Sequence, residues 1–169
     1  EKLGTSFNNF FFESEVSDDG IKIVNKFLEK GIFEKSDGAT IFPGEKYGEH
    51  TRVFINSHGL PTYEAKELGL TLKKFEIYPK LHQSIVVSAN EINAYFKVII
   101  AAMKNIDTTI ASKMKHIGHG ILRPSTGKMS SRKGNVVSAT DLIQEFKDLV
   151  DEKMKDRDFP KEEKEKISE

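Results

Sequence analysis

Apolar residues recur at helical spacing in several stretches of the chain, and short apolar runs suited to strands lie between them. Ile21, Val24, Phe27 and Leu28 form the first stripe. Ser17, Asp18 and Asp19 before it offer N-cap oxygens, and Gly31 after it suits a left-handed stop. The aromatic-rich segment ahead of that helix, residues 7–15, reads as extended. Two short strands are predicted at residues 40–42 and 52–56, separated by a loop at Pro43 and Gly44. The pattern then alternates: strands at 53–56, 84–88 and 116–122, with helices at 63–74 and 91–104 between them. Such alternation predicts an α/β fold of parallel strands with crossover helices. Ile85, Val86 and Val87 read as a strand buried on both faces. A Gly-, Ser- and Lys-rich loop follows at 124–135, after which Thr140 and Asp141 are placed to cap a helix through Leu142, Ile143, Phe146, Leu149 and Val150. The charged tail at 161–166 has no apolar partner and reads as a frayed helix or a linker.

Composition narrows the classes. With 169 residues and 37% apolar content, the chain is long enough to bury one real core. No apolar run reaches the roughly 20 residues that cross a bilayer, and residues 1–4 lack a leader's basic and apolar parts, so a cytoplasmic setting is expected. The absence of cysteine excludes disulfides and thiolate metal sites, and no metal site is assigned. A net charge of zero argues against a module that wraps nucleic acid. The distribution says more. Residues 1–40 carry 5 Lys against 8 acids, whereas residues 101–140 carry 7 Lys and Arg against the single Asp107. That second region is suited to an anion, with phosphate the foremost candidate.

The basic region centres on Gly127-Lys128-Met129-Ser130-Ser131-Arg132-Lys133-Gly134-Asn135. Three cations and two hydroxyls in one glycine-bracketed turn suit a mobile clamp for polyphosphate. A merely solvated basic loop is the alternative on composition alone. A Walker phosphate loop is excluded, because Leu122 stands where its first glycine belongs and Met129 follows the lysine.

In order and identity, Lys128 to Asn135 resemble the KMSKS loop of class I aminoacyl-tRNA synthetases. Other segments resemble the arginyl-tRNA synthetase family: Leu3-Gly4 with the aromatic run, Asp37-Gly38-Ala39, Arg52-Val53-Phe54-Ile55 leading to Gly59-Leu60-Pro61-Thr62-Tyr63, and Val86-Val87 leading to Tyr95-Phe96-Lys97-Val98. The resemblance covers nearly the whole chain. It implies the second half of a Rossmann-like nucleotide-binding fold at 51–137, a connecting segment between the halves at 1–50, and at 138–169 a helical stretch leading to an anticodon-binding domain. It also implies ligation of arginine to tRNA(Arg) through an arginyl-adenylate, with ATP and its Mg²⁺. A monomer is expected.

The resemblance carries site roles with it. Lys128 and Arg132 would be catalytic, stabilising the departing pyrophosphate. Met129, Ser130 and Ser131 would join them in binding ATP, and backbone near His119, Gly120 and Ile121 would touch the base. Tyr63 and Glu67, one turn apart, would contact the substrate arginine, where the family usually has aspartate at the second place. Glu91 stands near the position of a family glutamine and would be a further acid for arginine.

One literal motif is refused. His116-Ile117-Gly118-His119 spells the other class I signature, but that signature belongs far upstream, at a helix N-terminus. Here it falls on a predicted strand, where a separation of three sends the imidazoles to opposite faces. The genuine signature is expected in sequence preceding Glu1, so the chain reads as a fragment unable to form the adenylate alone. A lysyl or methionyl enzyme of the same class, or a non-catalytic module of the same fold, are the competing readings.

Overall fold

The computed structural model describes residues 4–121, 138–155 and 157–168. The chain divides into two compact units, Glu1–Ile121 and Leu122–Glu169.

The first unit opens with α1 (Glu13–Leu28), which begins ahead of the Ser17–Asp19 cluster predicted to cap it. The reason is a reach-back contact: the Phe12 backbone N–H donates to the Glu15 carboxylate at 3.1 Å, leaving the cap position to a phenylalanine. Ser17 is spent inside the helix, donating to the Glu13 carbonyl. The helix ends as expected, with Gly31 at φ 74° and its N–H on the Leu28 carbonyl.

A three-stranded antiparallel sheet follows, β1 (Glu34–Ser36), β2 (Ala39–Phe42) and β3 (Arg52–Ile55). Strand β1 is not anticipated by the hydrophobic pattern. It exists because Asp37 and Gly38 both take positive φ, 47° and 78°, the conformation a two-residue hairpin turn requires. Phe33, Phe42 and Phe54 are fully buried and meet edge to face, with centroids 5.0–6.2 Å apart.

The parallel part is β4 (Ser84–Ala89) with β5 (Met114–His119), in register from Ser84↔Met114 to Ala89↔His119. Helices α3 (Asn93–Ile106) and α4 (Thr108–Lys113) make the crossover, so the α/β class holds with parallel strands and crossover helices. Two details differ from the sequence pattern. Strand β3 is not a member of the parallel series, because its hydrogen bonds go to β2. Nor is β4 buried on both faces: Ile85 and Val87 are 49% and 63% exposed, and Ile117 beside them is 42% exposed. Within the described part of the first unit nothing covers that side, while α3 covers the other.

Helix α2 (Tyr63–Ile77) joins the two sheets and packs along α1 at unusually short range. A Cβ placed on Gly20 would lie 2.4 Å from the Ala65 carbonyl oxygen, and one on Gly69 would lie 2.6 Å from that of Val16. Leu68, Val24, Phe27, Val98, Ile99 and Met103 extend the core from this crossing.

In the second unit, α5 (Ala139–Met154) is capped by Ser138, whose hydroxyl accepts from the Asp141 N–H, rather than by Thr140 and Asp141. The charged tail forms α6 (Lys161–Ser168). No helix among the described residues is long and apolar enough to cross a membrane.

The glycine crossing sets opposing effects against each other. Helix propensity favours Gly→Ala by up to about 1 kcal/mol. Here the added methyl meets a backbone carbonyl that cannot move alone, which reverses the sign. Gly20→Ala and Gly69→Ala are each expected to lower unfolding free energy by about 1–3 kcal/mol in chemical denaturation.

Candidate active site

In parallel sheets, ligands gather beyond the carboxyl ends of the strands. At that end, β4 passes through a short 3-10 turn at Asn90–Ile92 into α3, and β5 finishes at His119. The two are drawn tightly together: a Cβ on Gly118 would fall 2.4 Å from Asn93 Oδ1 and 3.1 Å from the Asn90 Cα. Only glycine lets the start of α3 approach β5 so closely.

The two histidines take different places. His116 stacks on Phe96 of α3, with centroids 4.2 Å apart, and its Nε2 lies 2.7 Å from the Ser88 hydroxyl. It is a packed residue with a satisfied ring nitrogen. His119 is exposed, and its Nδ1 donates to the Gly120 carbonyl at 2.7 Å. Among the described residues no group of three or more His, Asp or Glu could hold a metal ion. Ile121 ends the described part of the first unit, 40% exposed. Lys128, Met129, Ser130, Ser131 and Arg132 lie outside the described residues.

The first turns of α2 carry a cluster of polar groups. Thr62 precedes the helix and donates its hydroxyl to the Val53 and Phe54 carbonyls, tying the helix start to β3. Tyr63 is 71% exposed, and its carbonyl accepts from the Tyr95 hydroxyl at 3.0 Å. Glu67, one turn on, is turned inward and half-buried, and its Oε1 is shut off from solvent with no hydrogen-bond partner. Burial raises its carboxyl above the usual range, and Lys74 opposes the shift. Tyr95 is held neutral by its own burial and by the charges of Glu67 and Glu64, against Arg52. Glu91 is exposed in the 3-10 turn.

The structure therefore groups Glu67 with Tyr95, Glu64 and Arg52, while the ring of Tyr63 and the side chain of Glu91 stand in solvent. Arg52, Glu64 and Tyr95 are not singled out as site residues by the sequence pattern. Glu64 had one local signal, its position three residues before Glu67 on the same helix. The arrangement can do one thing chemically without rearrangement: offer a partly desolvated carboxylate oxygen to a cationic donor.

Such a carboxylate costs stability when charged. Because its pKa is raised on folding, stability is lost as pH rises from the ordinary carboxylate value through the folded one. Glu67→Gln is expected to raise the melting temperature at pH 7. The gain should vanish below about pH 4, where the native carboxyl is protonated in both states. Thermal melts of both proteins across that range check it.

Comparisons with known proteins agree on one family. Residues 5–169 match the profile described as tRNA synthetases class I (R), catalytic domain. The chain is 31% identical over 163 residues to an arginine–tRNA ligase of Treponema denticola, covering 96% of this chain and 28% of that protein. It is 28% identical over 147 residues to the arginine–tRNA ligase of Flavobacterium psychrophilum, covering 86% and 24%. The chain thus spans about a quarter of the length of these curated relatives. Arginyl-tRNA synthetase from Thermus thermophilus shares the fold with a TM-score of 0.67 at 18% identity, covering 90% of this chain and 32% of that one. The enzyme from Plasmodium falciparum does so with 0.66 at 15%, covering 98% and 28%. The chain belongs to the catalytic-domain family of the class I arginyl-tRNA synthetases.

Proposed function

We propose that this chain is the arginine-selecting and ATP-closing part of an arginine–tRNA ligase. The observation that carries the reading is Glu67, a half-buried carboxylate without a hydrogen-bond partner, on the first turns of a helix beside the ends of a parallel strand pair. An unpaired acid in a desolvated place suits a substrate cation, because a guanidinium supplies the missing donors in a forked geometry. A methionine pocket would need the opposite, an apolar wall. The family match and the name shared by the relatives support the same choice.

In this reading Glu67 binds the guanidinium, Tyr63 folds over it, and Glu91 adds a second acid at the start of α3. The substrate carboxylate then attacks the α-phosphorus of ATP, which brings Mg²⁺ with it, and pyrophosphate leaves. Lys128 and Arg132 bear on that leaving group, with Met129, Ser130 and Ser131 completing the loop. Backbone at His119, Gly120 and Ile121 lies along the base. The tRNA(Arg) terminal hydroxyl finally attacks the adenylate carbonyl and releases AMP. Residues 51–137 serve as the second half of the nucleotide-binding fold, residues 1–50 as its connection, and residues 138–169 as the lead into a helical tRNA-binding domain.

The deciding experiment is ATP–pyrophosphate exchange by the full-length polypeptide with tRNA present, scanned over all amino acids. Arginine alone is expected to support it, and a preference for lysine or methionine would overturn the reading. In that polypeptide Glu67→Gln is expected to raise the arginine KM far more than the ATP KM. Equal effects on both would remove Glu67 from the pocket.

The loop has its own test. Contacts made only as charge gathers on pyrophosphate lower kcat and leave KM nearly alone. Lys128→Ala is expected to reduce kcat for activation by roughly a hundredfold or more, about 3 kcal/mol. A merely solvated loop would change it by less than about 0.5 kcal/mol.

A further inference from the structure

Arg52 at the start of β3 places a second guanidinium inside the cluster that surrounds Glu67. Its Nη1 donates to Glu64 Oε1 at 3.0 Å, and the guanidinium carbon lies 5.6 Å from the centre of the Tyr95 ring. The Glu64 side chain is 12% exposed and that of Arg52 35%, so the pair is buried on its acidic side. Arg52 Nε is buried without an acceptor, and Glu67 Oε1 is buried without a donor. Both side chains act on the Tyr95 hydroxyl, Glu67 favouring and Arg52 opposing its neutral form.

The other cations near α2 are engaged elsewhere. Lys66 bonds to Glu13 and lies over the Tyr63 ring. Lys73 faces Asp19, and Lys74 acts on Glu67 only through space. Glu64 and Glu67 are three residues apart on one helix, where like charges repel. A cation that pairs with one of two acids so placed relieves that repulsion. Arg52 is the cation in position to do so, and Glu64 is the acid it takes.

We propose that Arg52 is a positioning residue for substrate selection: by pairing with Glu64 it leaves Glu67 as the carboxylate without a hydrogen-bond partner that faces the incoming guanidinium. The assignment rests on the arginine pocket proposed above. It makes the pocket's charge a matter of balance between two residues that do not touch substrate. Removing Arg52 releases a second negative charge beside Glu67, and a proton shared between the acids then competes with substrate. Removing Glu64 frees Arg52 to turn to Glu67, where an internal guanidinium competes with the external one. Removing both restores the balance.

The test is a double-mutant cycle in the full-length polypeptide, read as KM for arginine and for ATP. Arg52→Met and Glu64→Gln are each expected to raise the arginine KM at least fivefold, with the ATP KM within twofold of wild type. The double variant R52M/E64Q is expected to recover most of the loss, and Arg52→Lys, which keeps the charge, to recover most of that of Arg52→Met. A packing role predicts the contrary, with the double variant at least as impaired as the worse single one, and that result overturns the proposal. So does a wild-type arginine KM in both single variants. If Arg52→Met does not fold, Glu64→Gln against the double variant decides the matter alone. Glu67→Gln in the same series separates the two levels. An unchanged arginine KM there removes the pocket itself, whereas a raised one with an additive cycle removes only the role of Arg52.

Discussion

The backbone-to-backbone approach of α1 and α2 at Gly20 and Gly69 is the constraint from which the rest of the first unit hangs. Each glycine leaves room for a carbonyl of the facing helix where any side chain would stand. Glycine inside a helix costs about 1 kcal/mol relative to alanine, so two such positions are explained only by what the close approach allows. It allows α2 to lie deep enough for Ala65 and Leu68 to be fully buried. Helix α2 is then fixed along its length by α1 and at its start by Thr62 on β3. A side chain on the opposite face of so constrained a rod is aimed with little freedom, and Glu67 is such a side chain.

Rigidity and charge work together here. An unpaired carboxylate in a soft surrounding would rotate to water or gather a lysine. At Glu67 neither happens: Lys66 is drawn away by Glu13, and Arg52 is held by Glu64. The phenol of Tyr95 closes the space by bonding to the Tyr63 carbonyl. The cluster keeps an unfavourable charge in place by engaging Lys66 and Arg52 with other acids, while Lys74 acts on Glu67 only through space. Stored cost of this kind is a common accompaniment of binding sites, because the ligand relieves it.

What the sequence made legible followed from local periodicity. Helices α2 and α3 and strand β4 were readable because their apolar positions repeat within each element, whereas β5 runs Met114–His119 against an expected 116–122, since Met114 and Ile117 do not alternate. The start of α1 was misplaced because its cap is a phenylalanine, and the stabilising contact comes from Glu15 three residues on. Strand β1 was invisible because Glu34-Lys35-Ser36 has no apolar alternation and is defined by the turn that follows it. The pairing of β3 was misjudged for a different reason: alternation gives the order of strands, not their neighbours. Glu67 was named only through the family resemblance, by its place one turn after Tyr63. Arg52 with Glu64 was not legible, since that contact joins residues twelve apart across a loop and leaves no periodic trace.

The open side of the parallel pair has a practical consequence for handling the chain by itself. Ile85, Val87 and Ile117 form an apolar strip next to strand edges that, among the described residues, carry no partner. Such a strip is a template for self-association, through apolar contact across its face and hydrogen bonding along its edge. Added salt, which screens charge, does nothing to oppose it. A lysine in place of Val87 would interrupt that strip at its most exposed point, where no change of ionic strength reaches it.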